Sequence, residues 1–164
     1  MNPSRDVWAD SVEKLGFDGV RCRIHTDAKN SFEAAIPLPG THMVYNAMAG
    51  TCIGLALGLS IEEIRAGIEN LKPLPGRSNI LHTGHYTLLD DCYNANPASM
   101  MESLNVLDDT HSRKVAILGD MGELGPQSGT LHASVGEHLK NLHVDVLVTI
   151  GTLSTALYEA AKCM

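Results

Sequence analysis

Aromatic residues are scarce, at 4% of 164 positions, so any core must rest on Leu, Ile, Val, Met and Ala. Positive charge is also scarce: 12 Lys and Arg stand against 19 Asp and Glu, a net charge of -7. That balance excludes non-specific nucleic-acid binding, which needs a basic surface to displace counterions. Small anionic ligands are not excluded, because a pocket can be locally positive on an acidic protein. No apolar run approaches the roughly 20 residues of a membrane-spanning helix. The opening residues Met1 to Asp6 carry no signal-peptide pattern. The four cysteines, Cys22, Cys52, Cys92 and Cys163, form no CxxC pair and no disulfide framework, which predicts a reducing, cytoplasmic setting. Eight histidines occur without HxxxH or HExxH spacing, so no histidine-built metal site is expected. A GxxxxGK[ST] phosphate loop is missing, as is any local Ser-His-Asp or Cys-His signature. The chain therefore offers nothing to grip β- and γ-phosphates and no obvious nucleophile.

What is present divides into two patterns. Val20 to His25 alternates apolar and polar residues, and Phe32 to Ile36 is a second short strand candidate. Turn residues from Asp27 to Asn30 join them into a predicted hairpin, which Pro37 to Gly40 ends. Two helices follow. His42 to Leu57, rich in Ala, Met and Leu, reads as buried, with Gly58 beyond its end. The second starts at Ser60, whose pairing with Glu63 is a capping box, and runs to about Leu71. Lys72 to Gly76 reads as a linker.

Beyond it, strands and helices alternate: Tyr86–Asp90, a helix from Pro97 to Asp108, Lys114–Leu118, a glycine-rich loop from Gly119 to Gly125, a helix from Gln127 to Leu142, Val144–Ile150 and a last helix from Gly151 to about Lys162. Such alternation implies right-handed βαβ units. The predicted class is α/β: a Rossmann-like, three-layer parallel-sheet domain over 75–164, preceded over 1–74 by a hairpin plus two helices.

Ligands bind such sheets outside the carboxyl ends of the strands. Three polar clusters lie there: Asp90 to Pro97 (DDCYNANP), Gly119 to Gly125 (GDMGELG) and Gly151 to Ser154 (GTLS). Asp91 or Asn96 could simply cap the helix that begins at Pro97. The cluster holds more than a cap needs, however. Two carboxylates and the carboxamides of Asn94 and Asn96 lie within seven residues, a set suited to a ribose, an ammonium group or a peptide. The Gly119–Gly125 loop is either a flexible turn or a ligand loop, and Thr152 reads as a helix cap. Arg77 offers a planar donor fork to phosphate, carboxylate or ribose, or is a solvated linker charge. Asn46, polar among apolar helix residues, is either buried with a partner or faces a cleft.

Taken in order, LPGTH (Leu38–His42) with Asn46 and Ala47, LPGR (Leu74–Arg77), LDDCYNANP (Leu89–Pro97) with Ser99 and Met100, LGDMGELG (Leu118–Gly125), and Leu131-His132 with Val135-Gly136 resemble the Mur ligase family, and within it the MurF type. The pairing of DDxYNANPxSM with GDMxELG separates that type from its siblings. The resemblance runs from about residue 6 to 160.

It implies three domains in the complete enzyme: a UDP-sugar-binding domain, a P-loop ATPase and a Rossmann-like domain that brings the incoming amino acid or dipeptide. Residues 1–74 then correspond to the end of the central domain, and 75–164 to most of the last one. The implied reaction phosphorylates the peptide carboxylate of UDP-N-acetylmuramoyl-tripeptide with ATP and Mg2+, and the amine of D-alanyl-D-alanine attacks the acyl phosphate. By the same resemblance Asn46 lies beside adenine, Arg77 and Asp91 reach ATP, and Asn94 and Asn96 face the dipeptide. No catalytic or metal-binding residue of the family falls in this chain. Two other readings stay open: a standalone dipeptide- or nucleotide-binding module, and a sibling such as a folylpolyglutamate synthetase.

Overall fold

The computed structural model describes residues 6–27 and 29–162. Met1 to Arg5, Ala28, Cys163 and Met164 lie outside the described residues, and with them most of the opening pattern and part of the predicted turn. The chain separates into two compact units, Met1–Leu74 and Pro75–Met164.

The first unit is built on an antiparallel sheet of three strands, β1 (Trp8–Lys14), β2 (Val20–His25) and β3 (Ser31–Ile36), in that order. The predicted hairpin is β2–β3, with Cys22 opposite Ala34 and Ile24 opposite Phe32. Alternation places Val20, Cys22, Ile24, Phe32, Ala34 and Ile36 in the core. The other face carries cross-strand ion pairs, Arg21 to Glu13 at 2.9 Å and Arg23 to Glu33 at 3.0 Å. β1 is an addition to the sequence reading. Its register slips between Asp10 and Glu13, where Ser11 takes φ +50°, so its alternation is broken.

Helices α1 (His42–Ala56) and α2 (Ile61–Glu69) pack on the apolar face through Val44, Ala47, Ile64 and Ile68. α1 is not buried all round, as its composition suggests: Tyr45 and Ile53 stay about as exposed as surface residues, at 60% and 61%. Its C-terminus closes as expected: Gly58, at φ +78°, donates to Leu55 O, and Leu59 donates to Gly54 O. The capping box opens α2, with Glu63 N donating to Ser60 Oγ at 3.3 Å and Ser60 N to Glu63 Oε2 at 2.8 Å.

The second unit holds a hairpin and a parallel pair. β4 (Asn79–His82) and β5 (Thr87–Asp90) are antiparallel, so the predicted Tyr86–Asp90 strand does not pair with the parallel ones. After α3 (Pro97–Asp108), β6 (Val115–Gly119) pairs in parallel with β7 (Val146–Ile150) across α4 (Ser128–Leu139), and α5 (Thr155–Ala161) follows. The α/β class is as predicted. The third layer is not present among the described residues. Ala116, Leu118 and Leu147 pack with residues of α3, α4 and α5, while Val115, Ile117, Val148 and Ile150 on the other face stay exposed. α4 and α5 approach closely at Gly136, where an added Cβ would lie 2.3 Å from Leu157 O.

Candidate functional site

Arg77 stands on a short backbone arch at the start of the second unit. Gly76 and Ser78 on either side are buried, and Arg77 itself is exposed. Both flanks are left-handed, Gly76 at φ +72° and Ser78 at φ +46°. That conformation costs a non-glycine residue about 1–3 kcal/mol, so it persists only when its surroundings enforce it. The two consecutive aspartates at the end of β5 do so. Gly76 N donates to Asp90 Oδ2 at 3.0 Å, and Ser78 N donates to Asp91 Oδ1 at 2.9 Å. Tyr93 N returns a bond to Gly76 O at 2.9 Å. The Arg77 guanidinium lies 4.2 Å from the centre of the exposed Tyr93 ring, a cation–π contact. A side chain at position 76 would press on Tyr93, which lies 3.2 Å from the ideal Cβ position.

Asp90 also accepts from the Cys92 thiol at 3.1 Å. That bond and the Gly76 N–H hold its carboxyl below the usual range, and the same carboxylate pushes the Cys92 thiol up. Asp91 is joined by the Ser103 hydroxyl, which donates to Asp91 Oδ2 from α3.

The helix cap left open by the sequence is Asn96, not Asp91. Asn96 Oδ1 accepts from Ser99 N at 2.9 Å, and Asn96 N donates to Ser99 Oγ at 3.1 Å, with Pro97 in the first turn. Its carboxamide oxygen is therefore engaged, leaving the amide nitrogen as the group it could offer a ligand. Asn94 Oδ1 accepts from Ala95 N at 2.9 Å. Asn46 is exposed on α1, with its amide 3.4 Å from Met43 Sδ. Asn46 belongs to the first unit and the other four candidates to the second.

The remaining two clusters meet at the ends of β6 and β7. Asp120 Oδ1 accepts from Ser154 N at 2.7 Å, and Gly151 leaves room for the Asp120 carboxylate. The bond to Ser154 depresses the Asp120 pKa. α5 starts at Thr155 rather than near Gly151, so Ser154, not Thr152, stands at its N-cap position, and Asp120 holds the Ser154 N–H. The Gly119–Gly125 loop is pinned rather than free. Met121 is fully buried, and Met121 N donates to Nε2 of the buried His132, whose Nδ1 donates to Ser128 O at 2.8 Å. Sequence reading missed Ser78, Ser103 and Tyr93 as parts of the arch. The one available signal is Ser103 itself, a hydroxyl next to the buried Leu104 in an otherwise apolar helix stripe. Among the described residues no group of three or more His, Cys, Asp or Glu could hold a metal ion, and no helix is long and apolar enough to cross a membrane.

The family described as Mur ligase, glutamate ligase domain, matches residues 76–163. The UDP-N-acetylmuramoyl-tripeptide–D-alanyl-D-alanine ligase of Escherichia coli (strain K12) is 34% identical over 169 positions, covering 96% of this chain and 37% of that enzyme. A crystal structure of MurF from Acinetobacter baumannii superposes with a TM-score of 0.91 at 35% identity, covering 98% of this chain and 35% of that one. A MurF ligase from Thermotoga maritima in complex with ADP has the same fold, with a TM-score of 0.78 at 24% identity over 93% of this chain and 35% of that one. The chain thus spans about a third of the length of the relatives it matches. Motifs, identity and backbone coincide over nearly all of it, and the chain belongs to the Mur ligase family, among the MurF-type ligases.

Proposed function

We propose that this chain is the nucleotide- and dipeptide-facing portion of an ATP-dependent ligase that joins D-alanyl-D-alanine to UDP-N-acetylmuramoyl-tripeptide in bacterial peptidoglycan synthesis, in the cytoplasm. Residues 1–74 serve as the end of the central ATPase domain and 75–164 as the C-terminal domain. The observation that carries the reading is the Arg77 arch: a buried, strained backbone that keeps one guanidinium exposed, in the same unit as Asn94, in the loop before α3, and Asn96, its N-cap. An exposed guanidinium held in place suits a phosphate or ribose oxygen. The ADP bound by the Thermotoga relative supports a nucleotide as that ligand.

ATP would supply the phosphoryl group that turns a poorly electrophilic carboxylate into an acyl phosphate. Arg77 and Asp91 would hold the nucleotide, while Asn94 and Asn96 would orient the dipeptide. Mg2+ would offset the charge gathered on the phosphates, held by residues that the resemblance places outside this chain. The chain alone is therefore expected to be inactive.

The test is an NMR titration of the 164-residue chain with ADP, with an activity assay alongside. The expected result is movement of Arg77 and residues 91–96, abolished in Arg77→Ala, with no ATP turnover in the presence of both substrates. Turnover by the chain alone would overturn the inactive reading. An ADP response that survives Arg77→Ala would remove Arg77 from the site.

A further inference from the structure

The Asp91 carboxylate, assigned to ATP by resemblance, already has both oxygens engaged by this chain. One accepts from Ser78 N–H and the other from the Ser103 hydroxyl. A carboxylate held at one oxygen can still swing about its side-chain torsions, whereas one held at both cannot. Ser78 is the residue that most needs such support, because its left-handed backbone is strained and its N–H is buried. Asp90 and Asp91 thus grip the amides before and after Arg77, and the Tyr93 ring supports its guanidinium.

We propose that Ser103 is a positioning residue: by fixing Asp91 it locks the Gly76–Ser78 arch and holds the Arg77 guanidinium in one orientation toward an anionic ligand. Ser103 lies on α3, the helix that Asn96 caps. One rigid element therefore supports both the nucleotide-side arginine and the dipeptide-side carboxamide. Pre-set donors cost less ordering entropy on binding than mobile ones. The nature of the ligand rests on the nucleotide reading above; the locking of Arg77 does not.

Two variants of the 164-residue chain test it, Ser103→Ala and Ser103→Thr, with the Ser78 amide and the Arg77 Nε–Hε group followed by NMR. Losing one hydrogen bond that anchors the carboxylate should speed Ser78 amide exchange about tenfold in Ser103→Ala. The Arg77 Nε–Hε signal should lose its ordered relaxation signature, while α4 and β6–β7 amides keep their shifts. The ADP concentration that half-shifts the Arg77 signal should rise about threefold or more. Ser103→Thr, which keeps the hydroxyl, should restore all three. If Ser103→Ala fails to fold, Ser103→Cys, similar in shape but a weak donor, gives the same reading. Unchanged Ser78 exchange and Arg77 order in the alanine or cysteine variant would overturn the proposal. If those change while ADP moves no resonance of the unmodified chain, the positioning role stands and the nucleotide reading falls.

Discussion

The two units put their acidic residues to different uses. In the first, Glu13 and Glu33 pair with arginines across the exposed face of the sheet. Asp27 reaches backbone donors only two and three residues ahead, and Glu63 closes a cap three residues long. In the second, Asp90, Asp91, Asp108, Asp120 and Asp145 accept from the backbone N–H groups of Gly76, Ser78, His143, Ser154 and Lys114, which lie 13 to 35 residues away. The physical reason is the backbone accounting. A three-stranded meander satisfies its own amides through the ladder, whereas strands joined by turns at their ends leave buried donors that side chains must meet. Carboxylates do this well because charge-assisted bonds to N–H groups are stronger than neutral ones.

The largest expected effect is a packing change that should strike only one unit. Gly136→Val forces methyls into the 2.3 Å approach between α4 and Leu157 O. It should destabilise the second unit by about 3 kcal/mol or more. Urea unfolding followed by hydrogen exchange in α4 and α5 would measure the loss. Trp8, the single tryptophan, stacks on His25 at 3.6 Å and reports the first unit. An equal shift of the Trp8 transition would show that the units do not unfold separately and would break the comparison.

Acid should come next. Asp90, Asp108 and Asp120 are held below their ordinary values, chiefly by the Cys92 thiol and the amides of His143 and Ser154 respectively. Their folded forms bind protons less readily than the unfolded chain does. The stability they contribute is present above the unfolded value near about 4 and is lost as pH falls through the lower folded values. Amide shifts of Gly76, His143 and Ser154 should therefore move below about pH 4 before those of the β2–β3 ladder. Asp27 and Glu63 are depressed too, so the first unit's turn and α2 cap loosen in the same range, but its ladder does not depend on them. Simultaneous loss of the ladder would refute the contrast.

A smaller effect tests the first unit's local device. Ser60→Ala removes the acceptor for Glu63 N and should cost about 1 kcal/mol. Faster exchange in the first turn of α2, with the second unit unchanged, would confirm that this cap acts only nearby. The smallest is chemical. Cys52 and Cys92 are both exposed, and the Asp90 carboxylate pushes the Cys92 thiol up. Peptide-level mass spectrometry should find Cys92 alkylated more slowly than Cys52 at pH 8. Asp90→Asn should narrow the gap, and an unchanged ratio would show that Asp90 does not control the thiol.

Where structure depends on neighbours in sequence, the residues themselves were enough. The Val20–His25 and Phe32–Ile36 alternation yields the hairpin, Ser60 with Glu63 yields the cap, and the apolar runs before Gly119 and Gly151 yield the parallel pair. The family motifs also show themselves as strings. β1 escaped notice because its bulge breaks the two-residue period, and β4 because four residues carry too little pattern. The partner of β5 was misjudged because strand direction is set by pairing, not by the strand's own residues.

By itself, then, the sequence determined the α/β class, the family and the list of polar residues near strand ends. Those follow from short-range periodicity, capping chemistry and motif order. Only the tertiary structure decided what each polar residue does. It made Asn96 the cap of α3, tied Asp120 to the Ser154 N–H ahead of α5, left Asn46 exposed, and committed Asp90 and Asp91 to the arch beneath Arg77. A carboxylate's role is set by the donors within about 3 Å of it, and in the second unit the backbone donors among them come from residues distant in the chain.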